Sequence, residues 1–236
     1  MKKICLIVPT LNEEKNIIKL FDNIKKTKIK LNILFVDDDS SDQTQKLIIS
    51  LKKKFNNINY LFRKNKIGIG SAHKDGIKFC YKKKYDLIIT MDADGTHDPK
   101  YLKEMISKAN IYDYVITSRY KRKNLLVDWP LFRKVLTYAR HFLVKTFLGM
   151  SYDASGAYRC FFTKKIKLKD ILAAKNNDYA FFWELTYIIK KNNYSIHEVP
   201  VQLVYRKLGK SKMKIRHIFF SLLYLYKIFN LKEKKS

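Results

Sequence analysis

Asp92 and Asp94, separated only by Ala93, stand at the end of the apolar run Leu87-Ile-Ile-Thr-Met91. At a strand end, carboxylates spaced in this way both reach one hard, oxygen-liganded divalent cation and leave its other positions to water and a substrate phosphate. The chemistry this suggests is the handling of a nucleoside diphosphate. Aspartates in a solvated surface turn are the commoner arrangement, so context must decide. An earlier run, Asn32-Ile-Leu-Phe-Val36, also empties into acid at Asp37-Asp38-Asp39. A second acidic strand end makes the bland reading harder to hold.

The elements that must position these acids alternate along the chain. Apolar runs Ile4-Val8, Ile33-Val36, Ile58-Phe62 and Leu87-Met91 are separated by helical patterns near Glu13-Lys26, Asp42-Phe55 and Ser71-Lys84. This order predicts βαβ units, an α/β Rossmann-like fold and a mostly parallel central sheet. Asp98 suits the cap of the next helix and Pro99 its first position, and a strand follows at Tyr114-Ser118. Open α/β sheets bind ligands outside the carboxyl ends of their strands, which places Glu13, Asp38, Asp92, Asp94 and Arg119 on one rim.

Beyond Trp129 the character changes. From Phe132 to Leu148, polar or basic Arg133, Lys134, Thr137, Arg140, His141 and Lys145 recur among Phe132, Val135, Leu136, Ala139, Phe142, Leu143 and Phe147. This predicts an amphipathic, cationic helix. A second apolar helix, Ile215 to Leu231, is rich in aromatics. Both suit a membrane interface, and packing on the protein itself is the alternative. In this reading Arg140 and Lys145 are cations turned toward an anionic bilayer.

A chain of 236 residues with 47% hydrophobic content can bury a full core. Its net charge of +28, from 49 Lys and Arg against 21 Asp and Glu, predicts an anionic partner. Cys5, Cys80 and Cys160 are widely spaced among apolar residues and read as reduced thiols, without a disulfide framework or zinc motif. The apolar run Ile4 to Val8 is too short for a signal-peptide core. No run reaches the roughly 18 residues of a spanning helix, so a cytoplasmic chain is expected.

Taken together, Val8-Pro9-Thr10-Leu11-Asn12-Glu13-Glu14, Val36-Asp37-Asp38-Asp39-Ser40, Gly68-Ile69-Gly70-Ser71-Ala72, Met91-Asp92-Ala93-Asp94, Thr117-Ser118-Arg119-Tyr120, Asp153-Ala-Ser155-Gly156 and Val204-Tyr205-Arg206-Lys-Leu-Gly209-Lys-Ser211-Lys212 resemble family 2 glycosyltransferases, in the polyprenyl-phosphate (dolichyl-phosphate) mannose synthase branch. The resemblance spans nearly the whole chain. It implies a GT-A catalytic domain over residues 1–210, with an amphipathic interface helix at about 129–148, and a membrane-interface or packing helix over 211–236. It further implies inverting transfer of a hexose, mannose first, from GDP-mannose to a polyprenyl or dolichyl phosphate at the cytoplasmic face of a membrane. The protein would be peripheral there, with a membrane-protein partner possible.

By the same resemblance, Pro9, Leu11, Glu13, Val36 and Asp38 line the nucleotide pocket, Glu13 and Asp38 as acceptors. Asp92 and Asp94, with Ala93 beside them and Thr96 in support, hold Mg2+ or Mn2+ against the departing diphosphate. Arg206 and Lys212, flanking Gly209, close over that diphosphate. Arg119, Arg133 and Thr137 surround the acceptor phosphate, whose own charge removes the need for a general base. Gly68-Ile-Gly70-Ser lacks the lysine of a Walker loop and reads as a helix-entry turn.

The chain departs from the family at Leu11, where tyrosine is usual, at Asp39 in place of Gly or Asn, and at Ser41-Asp42-Gln43 in place of Pro-Asp-Gly. Loss of a stacking ring at position 11 leaves room for a UDP-glucose type donor, and a glycan acceptor is the companion alternative. Nucleic-acid binding, the rival suggested by the charge, conflicts with the carboxylate-rich rim. The five histidines form no metal cluster, and His97 is expected to hydrogen-bond within the turn beside the acid pair.

Overall fold

Cys5 and Ile7 belong to one apolar layer and Leu6 and Val8 to another, the alternation of a strand buried on both faces. The computed structural model describes residues 2–206, 208, 212 and 215–233. In chain order they form β1 (Ile4–Thr10), α1 (Glu14–Lys26), β2 (Asn32–Asp37), α2 (Thr44–Lys54), β3 (Ile58–Phe62), α3 (Ile69–Lys82), β4 (Leu87–Thr90), α4 (Leu102–Ile111), β5 (Tyr114–Ser118), β6 (Leu126–Val127), α5 (Leu131–Leu148), β7 (Arg159–Phe162), α6 (Leu168–Leu172), α7 (Phe181–Lys191), β8 (Ile196–Pro200), β9 (Leu203–Val204) and α8 (Ile215–Glu233). Between β4 and α4, Asp98 accepts from the Lys100 N–H and Pro99 opens a short 3-10 turn that runs into the helix.

The main sheet has the order β3-β2-β1-β4-β7-β5-β8. Its strands are parallel except β7, which runs antiparallel to both β4 and β5. The layer over one face draws on α1, α2 and α4, and the other on α3, α6 and α7. The chain order reverses between β1 and β4, and the carboxyl ends of these two strands deliver Glu13 and Asp92 to the same crevice. A separate pair, β6 with β9, joins the segment before α5 to the segment that carries Arg206.

Parallel strands and their crossover helices follow the alternation expected from the sequence, with ends shifted by one or two residues, as where α3 starts at Ile69 rather than Ser71. A Cβ at Gly70 would stand 2.5 Å from the Phe181 Cβ and 2.8 Å from the Asp178 carbonyl oxygen. Its glycine is therefore a packing requirement, letting α3 start against the loop before α7. Among the described residues no helix is long and apolar enough to cross a membrane.

The amphipathic helix expected near 129–148 forms as α5 but is turned partly inside out. Thr137, Arg140 and Val144 follow Arg133 by four, seven and eleven residues and share its stripe. Thr137 and Val144 are buried, so this polar stripe faces the protein. Leu131, Phe132 and Phe142 are instead 78%, 66% and 65% exposed. Arg140 therefore does not pair with exposed Lys145 as a cation at the bilayer; it points into the molecule. Helix α8 packs beside α5, with Phe147 and Phe229 rings 5.1 Å apart, and the Trp183 indole N–H of α7 donates to Ser221 at 3.1 Å.

Candidate active site

Ala93 turns into the core, while the flanking Asp92 and Asp94 side chains keep 30% and 21% exposure at the crevice. Gly95 follows at a φ of 80°, a backbone angle that disfavours a side chain and swings Thr96 back toward the pair. Thr96 donates both its N–H, at 3.0 Å, and its hydroxyl, at 2.7 Å, to the same Asp94 oxygen. These bonds aim the second Asp94 oxygen toward Arg206, 3.8 Å away. Thr96 thus orients the Asp94 carboxylate, a contact distinct from the supporting metal ligand expected of it.

His97 forms the floor. The Asp92 N–H donates to its Nδ1 at 3.1 Å, so the ring proton sits on Nε2 and the imidazole is neutral. Burial pushes its pKa down, in agreement with that tautomer. Asp92 moves the other way: burial, then the charges of Asp94 and Glu13, raise its pKa well above the carboxylate range. Acids held together against their own repulsion suit a multivalent cation. Among the described residues no group of three or more His, Cys, Asp or Glu side chains gathers at metal-ligand spacing. A divalent ion at Asp92 and Asp94 would therefore complete its shell with substrate phosphate and water, as Mg2+ commonly does.

Glu13 closes the other side of the crevice. Asn16 donates to it at 2.6 Å, and Arg206 Nη2 lies 3.2 Å from both of its oxygens. Burial raises the Glu13 pKa despite Asn16 and Arg206, which pull it down. Arg206 consequently straps the carboxylates of Glu13 and Asp94 together, and Lys212 Nζ donates to the Asn12 carbonyl at 3.1 Å. Gly209 and Ser211 of the same motif lie outside the described residues.

Asp38 is buried, and its carboxylate is already engaged. It accepts from the N–H groups of Ile67 and Gly68, both at 3.0 Å, and Arg63 Nη1 lies 3.2 Å away. It fixes the loop entering α3, and further acceptor work falls to its remaining lone pairs. Pro9 and Leu11 are half-buried beside it, whereas the Val36 side chain is sealed in the core under α3 and bounds the pocket from below. Asp39 has a φ of 66°, a conformation that Gly, Asn and Asp share most readily. The departure at this position therefore preserves the turn.

A cationic cluster borders the acidic centre. Asp153 Oδ2 accepts from the Arg119 backbone N–H at 2.9 Å and from its Nε at 2.7 Å, in a fully buried pair. A Cβ at Gly156 would approach Arg119 Nη2 to 3.3 Å, so the glycine gives the guanidinium its room. Arg159 secures that loop from beneath, donating to the carbonyls of Gly156, Ala154 and Phe182 and to the Tyr114 hydroxyl. On α5, the Thr137 carbonyl accepts from the Tyr120 hydroxyl at 3.1 Å, and the Arg133 guanidinium lies 5.8 Å from the Tyr205 ring. Arg119 is close enough to Asp92 for each charge to favour the other.

Of the expected site residues, Glu13, Asp94 and Arg206 are joined by direct contacts and Arg119 lies close to Asp92, whereas Ala93 and Val36 are sealed in the core. The buried frame of Asp153, Arg159 and Glu198, whose carboxylate accepts from the Asp153 N–H at 2.7 Å, was not predicted as part of the site. Asp153 alone carried a signal, through its motif. Three of the remaining histidines serve as packing: His141 stacks on Tyr120 at 4.0 Å, His197 on Tyr112 at 4.4 Å, and His73 lies between Phe181 and Phe182, while His217 Nε2 lies 3.7 Å from Asp178.

Similar proteins share both sequence and fold. Residues 5–173 match the family described as Glycosyl transferase family 2. An undecaprenyl-phosphate mannosyltransferase of Micrococcus luteus is 29% identical over 89% of this chain and 87% of its own length. A polyprenol monophosphomannose synthase of Mycolicibacterium smegmatis is 30% identical over 88% of this chain and 80% of its own. In fold, the chain is similar to glucosyl-3-phosphoglycerate synthase from Mycobacterium tuberculosis. The TM-score is 0.66 for its complex with phosphoglyceric acid, at 14% identity, covering 95% of this chain and 80% of that one. For its complex with Mn2+ and UDP-glucose the TM-score is 0.62, at 15% identity, covering 95% and 79%. The architecture is the α/β GT-A type expected from the sequence, and the chain belongs to glycosyl transferase family 2.

Proposed function

We propose that this glycosyltransferase moves a mannosyl residue from GDP-mannose to a membrane polyprenyl phosphate, using Mg2+ or Mn2+ held by Asp92 and Asp94. The observation that carries this reading is the contact of two opposite surfaces: an acid centre strapped by Arg206, and beside it a guanidinium cluster formed by Arg119 and the inward stripe of α5. The first suits a nucleoside diphosphate with its cation. The second suits another phosphate, and the names of the two mannosyl-transferring relatives supply its kind.

Glu13, and Asp38 through its free lone pairs, accept from the nucleoside, while Arg206 and Lys212 bind the diphosphate. A bound divalent cation would offset negative charge on the leaving diphosphate. Arg119, Arg133 and Thr137 hold the acceptor so that its phosphate oxygen faces the anomeric carbon. That oxygen forms the new bond to C1 as the bond from C1 to the diphosphate oxygen breaks and the electron pair leaves with GDP. Configuration at C1 inverts. The attacking group is already an anion, so no side chain need remove a proton, and alignment with charge compensation supplies the catalysis.

The test offers GDP-mannose, UDP-glucose and other nucleotide sugars with Mn2+ to the purified chain and a short-chain polyprenyl phosphate. Mannolipid formation is expected from GDP-mannose. Leu11 leaves the base without an aromatic stacking surface, so product from UDP-glucose instead would reassign the donor. No glycolipid from any donor would overturn the reading.

The protein acts peripherally at the cytoplasmic face of a membrane in this reading, which the exposed rings of α5 and α8 support. Phe132 and Phe142 on α5 and Phe219, Phe220 and Tyr226 on α8 are all exposed, and residues 211–236 would serve as a second interfacial element. Replacing Phe132 and Phe220 together by Ser is expected to weaken binding to vesicles containing anionic lipid about tenfold or more, measured by co-sedimentation. Unchanged sedimentation would reassign these faces to a protein partner in the membrane.

A further inference from the structure

Arg140 has no established use in the scheme above, yet it lies where that scheme places the acceptor. Its stripe on α5 also carries Arg133 and Thr137, and it neighbours Arg119 and Tyr120. Its Nε is buried without a hydrogen-bond partner among the described residues. Tyr120 hydrogen-bonds the Arg140 side chain, but the buried Nε loses hydration that no protein group among the described residues replaces, a standing cost unless a ligand repays it.

The charges around it are unbalanced. Arg119 is paired with Asp153, and Glu198 with Lys121 at 3.1 Å. Among the described residues no carboxylate forms an ion pair with Arg133 or Arg140. Burial, and then the charge of Arg119, lower the Arg140 pKa from its usual value, outweighing the smaller opposing pull of Tyr120 and Asp153. A compact, negatively charged group with several acceptor oxygens would serve both guanidinium groups. A phosphate monoester has both properties, and guanidinium groups bind such oxygens in bidentate fashion.

We propose that Arg140 is a further acceptor-binding residue, holding the phosphate of the polyprenyl phosphate from the side of Thr137 opposite Arg133. This rests on the acceptor assignment made above and adds a residue to it. The stripe then forms a clamp: Arg133 and Arg140 lie seven residues apart, roughly 10 Å along the helix axis, and flank Thr137 on either side. Arg119 completes the enclosure on the side of the acid centre.

The test uses the full chain with Arg140→Met, which removes the charge but keeps the bulk, and Arg140→Lys, which keeps the charge but loses the fork. With saturating donor, Arg140→Met is expected to raise the KM for a short-chain polyprenyl phosphate about 10- to 100-fold. Arg140→Lys should fall between the two, with the donor KM unchanged in both. Removing a buried cation without an ion-pair partner should leave the melting temperature of Arg140→Met equal to or above that of the wild type. An unchanged acceptor KM overturns the proposal. So does a lowered melting temperature with both KM values and kcat altered alike, which would mark a structural arginine.

Binding to anionic vesicles without acceptor should be the same for Arg140→Met and wild type; a loss there with normal acceptor KM would make Arg140 a bilayer cation and sink the idea. If the wild type forms no glycolipid, calorimetric binding of the short-chain polyprenyl phosphate separates the two claims. Weaker binding to Arg140→Met supports the Arg140 site while the transfer reading fails. No difference from wild type, or no binding to either, overturns the Arg140 site.

Discussion

Asp94→Asn is expected to lower the transfer rate about 1,000-fold, the scale of losing one preorganised electrostatic group at a site of developing charge. The substitution is nearly isosteric, and the amide oxygen can still accept from the Thr96 N–H and hydroxyl that hold the carboxylate. What disappears is half of the charge facing the cation, together with one of the carboxylates strapped by Arg206. Two measurements separate this from a folding defect. Without metal the variant should be as stable as wild type or slightly more so, because Asp94 repels Asp92. With Mn2+, wild type should gain thermal stability by mass action and the variant should not. A variant that keeps the Mn2+ response and loses no activity would remove Asp94 from the metal site.

The parts of this architecture that the sequence exposes are those built from repeated local patterns. Strands β1 to β5 are apolar runs separated by amphipathic helices, and β5 occupies the expected Tyr114–Ser118. Strand β7 carried no such signal. It has four residues, all buried, and begins with Arg159, a charge that reads as surface until its donors are seen to end on three carbonyls and a tyrosine. Its antiparallel insertion between β4 and β5 depends on that tertiary network rather than on any period in the chain.

The acids were legible because strand ends in such sheets converge, and the strapping arginine only through the motif that carries the family resemblance. The orientation of α5 was not, because assigning its polar face to water assumes that the opposite face has a core to enter. Here Thr137 and Val144 enter the core on the polar stripe while Phe132 and Phe142 stay outside. Arg140 belongs to the interior for that reason. The same inversion links two functions: rings outward suit a bilayer, and guanidinium groups inward suit the charged head of a lipid drawn from it.

Asp153→Ala should destabilise the fold by about 3–5 kcal/mol, the range for removing one partner of a buried ion pair. Asp153 Oδ2 accepts from both the backbone N–H and the Nε of Arg119. Without it, Arg119 stays buried beside Arg140 with no carboxylate between them, so the loss combines unmet donors with repulsion of like charges. For a chain of this size the melting temperature should fall by about 10 °C, at roughly 2–4 °C per kcal/mol. Transfer activity should also fall at temperatures where the variant remains folded, because Arg119 no longer has a fixed position beside Asp92. Pairing Arg119→Met with Asp153→Leu removes both charges and should recover most of the stability without recovering activity. That divergence is the decisive result. If Asp153→Ala melts with wild type, the pair is not a structural keystone; if the double variant regains activity along with stability, Arg119 holds the loop and takes no part in binding the acceptor.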